Sequence, residues 1–168
     1  MANRVPVHAS GPYYTPAYRA HAVALHTNGP VSGAFRGFGV PQAAIAQETL
    51  FDRLADACGI DRLEFRLRNA LLDGQSTVTG QSFGTGVGIH ACLSALQEPW
   101  ARARASAADW NRDNPASPIR RGVGLGTCWY GCGNTSLPNP STIKAGLMAD
   151  GRVRLHQGAV DIGQGSNT

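Results

Sequence analysis

The chain has 168 residues, of which 42% are hydrophobic and 15% charged, and its formal net charge is +4. A domain of this length buries about 68–70% of its unfolded surface, so closing a core requires neither metal nor disulfide. The composition also excludes disorder by charge repulsion. Lys144 is the only lysine, every other basic residue being arginine. The arginines alternate with acids along the chain instead of gathering on one face, which speaks against a nucleic-acid footprint. No apolar run approaches the roughly 18–20 residues of a membrane span, and none follows Met1 as a secretory signal would require.

Residues 1–35 read as short extended pieces, with Val5 and Val7 alternating with Arg4, Pro6 and His8 and with Gly-Pro turns at 11–12 and 29–30. The stretch Gln42–Cys58 is rich in Ala, Leu and Glu, lacks internal Gly and Pro, and predicts a helix ended by Gly59. Asp61 then caps a second helix whose buried face carries Leu63, Leu67, Ala70 and Leu71. A third helix is expected from Ile89 to Arg104, with Ile89, Cys92, Leu93, Leu96 and Trp100 on one stripe. The polar stretch 105–118 reads as a linker. Beyond it the period changes to two: Ile143, Ala145 and Leu147, then Val153 and Leu155, alternate with other residues around Asp150-Gly151. This predicts a half-buried antiparallel hairpin. The class is therefore α+β, helices followed by antiparallel sheet, with regions 1–104 and 119–168 on either side of the linker.

Glycine is the strongest compositional signal, with 21 residues gathered in short clusters. In Gly33-Ala34-Phe35-Arg36-Gly37-Phe38-Gly39 an arginine fork sits where backbone can approach a ligand, flanked by two aromatic faces. The same residues also suit a kinked strand with a solvated arginine. Val160-Asp161-Ile162-Gly163-Gln164-Gly165 offers amide donors in a glycine turn, or simply a strand-to-helix turn. Cys128 and Cys132 have no second ligand pair at zinc spacing, so they are expected to be buried thiols in a strand and no metal site is expected. The four cysteines are too few and too spread for a secreted disulfide scaffold, which favours a reducing compartment and a cytoplasmic location. The five histidines show no ligand spacing.

Taken together, Gly-Ala-Phe-Arg-Gly-Phe-Gly-Val-Pro-Gln at 33–42 and Asp-Ile-Gly-Gln-Gly at 161–165 resemble the molybdopterin-binding subunit of the xanthine dehydrogenase / aldehyde oxidase family. Residues 61–72, Tyr13-x-x-Pro16 and Thr27-Asn28-x-Pro30 extend the resemblance over most of the chain. It implies an internal fragment of the two-part molybdopterin-binding domain of a hydroxylase. Such an enzyme oxidises an aldehyde or N-heteroaromatic substrate with water as the oxygen source. Arg36, Gly163, Gln164 and Gly165 would then be cofactor-binding, and Phe38 would border the substrate. The resemblance also implies iron–sulfur clusters on other domains or subunits, with FAD a further candidate, and the remainder of the molybdopterin subunit as partner.

Two departures from the family pattern bear on activity. The family's general-base glutamate lies in a glycine-rich segment far downstream, whereas Glu48, Glu64 and Glu98 here fall in helical patterns. No catalytic residue is therefore assigned, and the chain alone is expected to be inactive. Arg4 stands at about the spacing before Arg36 at which purine-oxidising members carry a substrate-orienting arginine. Its surroundings match poorly, so it is read as a surface residue. The segment 133–140 lacks the second aromatic clamp of the purine enzymes, leaving aldehydes and N-heteroaromatics open. Ser166, Asn167 and Thr168 are helix-starting residues with no helix after them, which points to a continuation in this or another polypeptide. The competing class is a non-catalytic binding or assembly module that retains the fold.

Overall fold

The computed structural model describes residues 4–30, 33, 35–131, 140–166 and 168. The chain divides into two compact units, Met1–Ser136 and Leu137–Thr168. The first holds α1 (Arg4–His8), α2 (Val40–Cys58), α3 (Arg62–Asn69), α4 (Ile89–Ala95) and α5 (Gln97–Asp113). The second holds one hairpin, β1 (Lys144–Leu147) and β2 (Val153–His156). The fold is α+β, as the change of period implies.

In the first unit each helix boundary has a local cause. Gly59 adopts φ 66° after α2, and the amides of Gly59 and Ile60 return to the carbonyls of Asp56 and Ala55. That pair of bonds is a Schellman closure, which a residue without Cβ accepts at little cost. Asp61 caps α3 by accepting from the amides of Leu63 and Glu64 at 2.9 and 3.2 Å. Leu63, Ala70 and Leu93 form the centre of a core, with Leu67, Ile89, Trp100 and Leu125 packed around it. Trp100 also donates its indole N–H to both carboxylate oxygens of Asp61, tying α5 to the start of α3.

Four sequence expectations need correction. Residues 4–8 form a helical turn, not an extended piece; Pro6 sits where a helix start needs no amide donor. The third helix breaks at Leu96, so Leu93 is buried but Cys92 and Leu96 of the expected stripe are exposed. α5 then runs through Asp113, so the segment expected as a linker is helical over most of its length. Its polar face carries Arg112–Asp109 within the expected linker, continuing the Arg102–Glu98 pair of the expected helix. Finally, both hairpin strands are exposed along their whole length instead of half-buried. Leu147 pairs with Val153 and Ala145 with Leu155, setting the apolar side chains together on one uncovered face. The hairpin turn itself is as expected, with Gly151 at φ 83°.

The cap at Asp61 generates the first prediction. Burial would raise this carboxyl, but bonds from the Trp100 indole and two amides, with Arg104 nearby, hold it below the usual carboxylate range. A depressed group stabilises the fold above its unfolded value and loses that contribution as pH falls through its folded value. Urea unfolding should show stability declining on acidification below about pH 4. Asp61→Ala should cost about 1 kcal/mol at neutral pH and flatten that decline.

Candidate functional site

The segment between residue 33 and the start of α2 folds back sharply. Gly37, Phe38 and Gly39 have φ of 87°, 48° and 86°, three successive left-handed residues. Phe38 is the one non-glycine with positive φ among the described residues, and such strain persists only where surrounding structure fixes it. The turn is closed by Phe38 N–H donating to Phe35 O at 2.7 Å and Val40 N–H donating to Gly37 O at 2.9 Å. A Cβ on Gly37 would lie 3.0 Å from Pro41 Cγ and Cδ, so this position excludes a side chain by contact as well as by φ.

This turn forms one wall of a cavity of about 450 Å³ whose lining includes Arg4, Val23, Phe35, Arg36, Phe38 and Gln42. Arg36 and Phe38, singled out in the sequence, therefore open into one space. Phe35 is exposed, so it is not the core residue that a plain kinked strand would require. Arg4 joins them: its guanidinium lies 5.1 Å from the centre of the Phe38 ring, a cation–π distance. The surface reading of Arg4 is thereby corrected. Its spacing to Arg36 was the available signal, but the helical turn that aims it was not legible. α2 begins here without any side-chain cap, so the positive end of a 19-residue helix adds to the field of the two arginines.

Two larger hollows, about 570 and 760 Å³, share Asp61, Trp100, Arg104 and Val123. Their charges already answer one another: Arg104 pairs with Asp61, and Arg62 with Asp52 and Asp56. They form a paired polar surface, not a site that awaits a charged ligand.

In the second unit the loop after β2 carries Gly163 and Gly165 at φ 100° and 83°. The Gln164 amide is used within this loop. Its Oε1 accepts from Ile162 N–H at 2.7 Å, and its Nε2 donates to Val160 O and Ser166 Oγ. These bonds fold the loop on itself, so the side chain that the sequence pointed to serves here as a loop brace.

The glutamates behave as their helical settings imply. Glu64 pairs with Arg68 and Glu98 with Arg102, both exposed. Glu48 is buried and held by Arg66, Tyr13 and Thr127, so none of the three is placed as a base toward the cavity. Cys128 is a free thiol but an exposed one, against the expectation of a buried pair, and Cys132 lies outside the described residues. So does most of 133–140. No group of three metal-ligating side chains occurs among the described residues.

Residues 1–70 match a molybdopterin cofactor-binding domain family, and residues 91–168 match a second family of the same description. The chain is 43% identical over 98 residues to the nicotinate dehydrogenase large molybdopterin subunit of Eubacterium barkeri, covering 58% of this chain and 23% of that one. It is 35% identical over 157 residues to the xanthine dehydrogenase molybdenum-binding subunit of Escherichia coli O157:H7, covering 90% and 20%. The aldehyde oxidoreductase of Desulfovibrio desulfuricans superposes with a TM-score of 0.72 at 26% identity, covering 92% of this chain and 16% of that one. The chain thus spans less than a quarter of the length of each of these relatives.

The donor set suits an anionic, phosphate-bearing group. A guanidinium fork, the positive end of α2 and glycine backbone with open space above Gly39 stand side by side, the Val40 amide being bonded to Gly37 O and Pro41 having none. The strain of the turn is itself testable without any ligand. Gly39→Ala meets nothing within 4 Å, so it should cost only the left-handed penalty of about 1–2 kcal/mol. Gly37→Ala carries the same penalty plus the Pro41 contact and should cost more, both read by urea denaturation.

Proposed function

We infer the function from the family to which this chain belongs, the molybdopterin cofactor-binding proteins that include xanthine dehydrogenase and aldehyde oxidoreductase. We propose that the chain is part of a molybdenum hydroxylase that oxidises an aldehyde or an N-heteroaromatic compound, with water as the oxygen source. The observation that carries the reading is the meeting of Arg36, Phe38 and Arg4 on one cavity at a strained turn. When bound, the molybdenum cofactor supplies the two-electron oxidation.

The chain's own residues would bind and orient. Arg36 presents a planar, permanently charged fork suited to the anionic oxygens of the cofactor. Phe38 offers an aromatic edge to a flat substrate beside it. Arg4, whose guanidinium lies over the Phe38 ring, offers its fork to a carbonyl or carboxylate oxygen of a substrate of either class. In the second unit, Gly163, Gln164 and Gly165 are proposed as cofactor neighbours. For this role the Gln164 amide must exchange its bonds to Val160 and Ser166 for bonds to the ligand.

The remainder of a molybdopterin subunit, with iron–sulfur and flavin-bearing partners to carry electrons away, completes the proposed assembly in the cytoplasm. None of the described helices is long and apolar enough to cross a membrane. None of the described glutamates is placed to serve as general base, so the 168-residue chain alone is expected to be inactive.

In the complete enzyme, Arg36→Ala should lower molybdenum content per protein by about ten- to a hundredfold, as loss of a charged hydrogen bond implies. Elemental analysis reads this directly. Oxidation of nicotinate and benzaldehyde, followed with an artificial electron acceptor, reads the activity. Turnover of either by the purified 168-residue chain would refute its expected inactivity, and full molybdenum loading of the Arg36→Ala enzyme would refute the cofactor role of Arg36.

A further inference from the structure

We propose that His8 is a positioning residue for Arg4: as the neutral tautomer with its proton on Nδ1, it clamps α1 between two backbone groups and so fixes the cavity's second arginine. The inference rests on the reading of the cavity given above. His8 is 2% exposed. Its Nδ1 lies 3.0 Å from Arg4 O and its Nε2 3.3 Å from the amide nitrogen of Gly131. A peptide carbonyl can only accept and a peptide N–H can only donate. The ring therefore carries its proton on Nδ1, which donates to Arg4 O, and offers the Nε2 lone pair to Gly131 N–H. Both partners are main chain, so the choice of tautomer is dictated by chemistry that no side-chain rotation can reverse.

The clamp matters because α1 is five residues long. A single turn fixes several dihedrals for one or two hydrogen bonds and does not hold by itself. Beyond its own helical bonds and the His8 contacts, it is secured by Ala9 N–H donating to Val5 O and by the Tyr18 hydroxyl donating to Pro6 O. The Arg4 carbonyl is held by His8, and His8 is held by Gly131 and by its neighbours Trp129 and Tyr130, whose rings stand 5.6 and 5.5 Å from the imidazole. Through this chain of contacts a residue 123 positions away in sequence is tied to the main chain that carries Arg4, whose guanidinium meets Phe38.

The tautomer is read by ¹⁵N NMR of the full chain labelled at histidine. The expected result is one buried imidazole with a protonated Nδ1 and an unprotonated Nε2; the opposite tautomer, or a doubly protonated ring at neutral pH, would overturn the proposal. The positioning role is read in the complete enzyme by a double-mutant cycle of His8→Asn and Arg4→Met, with nicotinate and benzaldehyde as probes. Each single change should raise KM about tenfold, with kcat per molybdenum changing less. His8→Asn should add little in the Arg4→Met background, because its effect passes through Arg4. Additive effects, or a His8→Asn loss confined to kcat and molybdenum content, would mean that His8 is merely structural. His8→Gln, which restores an acceptor toward Gly131, should recover part of the KM; no recovery counts against the clamp. If Arg4→Met leaves KM unchanged, the cavity reading of Arg4 falls and this inference with it, whatever the tautomer.

Discussion

The first unit depends on one buried guanidinium. Arg66 on α3 is fully enclosed, with its Nε on Glu48 Oε2 at 2.7 Å and its terminal nitrogens on Asp52 and on the carbonyls of Glu48 and Arg62. Burial alone would lower its pKa, yet the bonds to Glu48 and Asp52 hold it above the ordinary arginine value. Glu48 is shared further: its other oxygen accepts from the Tyr13 hydroxyl at 2.8 Å and from Thr127 at 2.7 Å. Burial moves the Tyr13 phenol well above its usual range, so it stays a donor. One ion pair thus joins α2, α3, the N-terminal segment and the irregular segment near residue 127. A buried pair of this kind gives little net stability over a hydrophobic replacement, but losing one partner costs about 3–5 kcal/mol. Its value here is register: four pieces of chain can satisfy those charges in only one relative arrangement.

That arrangement holds the cavity. Tyr13 follows α1 by five residues and packs on Phe51 of α2, with ring centres 4.3 Å apart. Phe51 in turn meets Phe65 of α3 edge-on at 5.3 Å. The midpoint of α2 is therefore anchored, while its N-terminus carries three left-handed residues, two of them glycines. A strained turn at the end of a long helix is sustained when the rest of the helix is over-determined, and the Glu48–Arg66 pair supplies this. The same frame presents Thr127 on one side of Tyr13 and Gly131 beneath His8, so the segment that completes the ion-pair network also supports the Arg4 clamp.

What the sequence revealed and what it hid follows from the range of each interaction. α2, the Gly59 closure, the Asp61 cap and the Asp150-Gly151 hairpin are local, determined within about one helical turn or one tight turn, and were legible. Arg36 and Phe38 were legible as a pair because they share one short glycine-rich segment. The Glu48–Arg66–Tyr13 cluster was not, since its bonds span 18 and 35 residues and each member looks like an ordinary surface residue in its own segment. α1 was misread because five residues are too few to show a helical period. α5 was misread past residue 104 because its polar residues belong to an exposed helix held by side-chain pairs, a pattern that composition does not separate from a loop. His8 carried no ligand spacing because its partners are main-chain groups, which leave no mark on residue identity.

The exposed apolar surface constrains how the second unit is stabilised. A two-stranded hairpin alone is marginal in water. Here its apolar face is open, with Leu147, Val153 and Leu155 exposed by 78, 69 and 58%. Alternation along β1 and β2 is as regular as in a half-buried sheet, so the pattern encodes a covered face although none of its residues is buried. The hydrogen-bonded register of the strands cannot by itself offset the cost of ordering them. The glycine loop of Gln164 follows this hairpin directly, and its own bonds are nearly all within six residues. Contacts that cover the apolar face would therefore order the hairpin and fix the base of that loop together. The proposed turn of Gln164 toward a ligand would in this way be coupled to burial of Leu147, Val153 and Leu155.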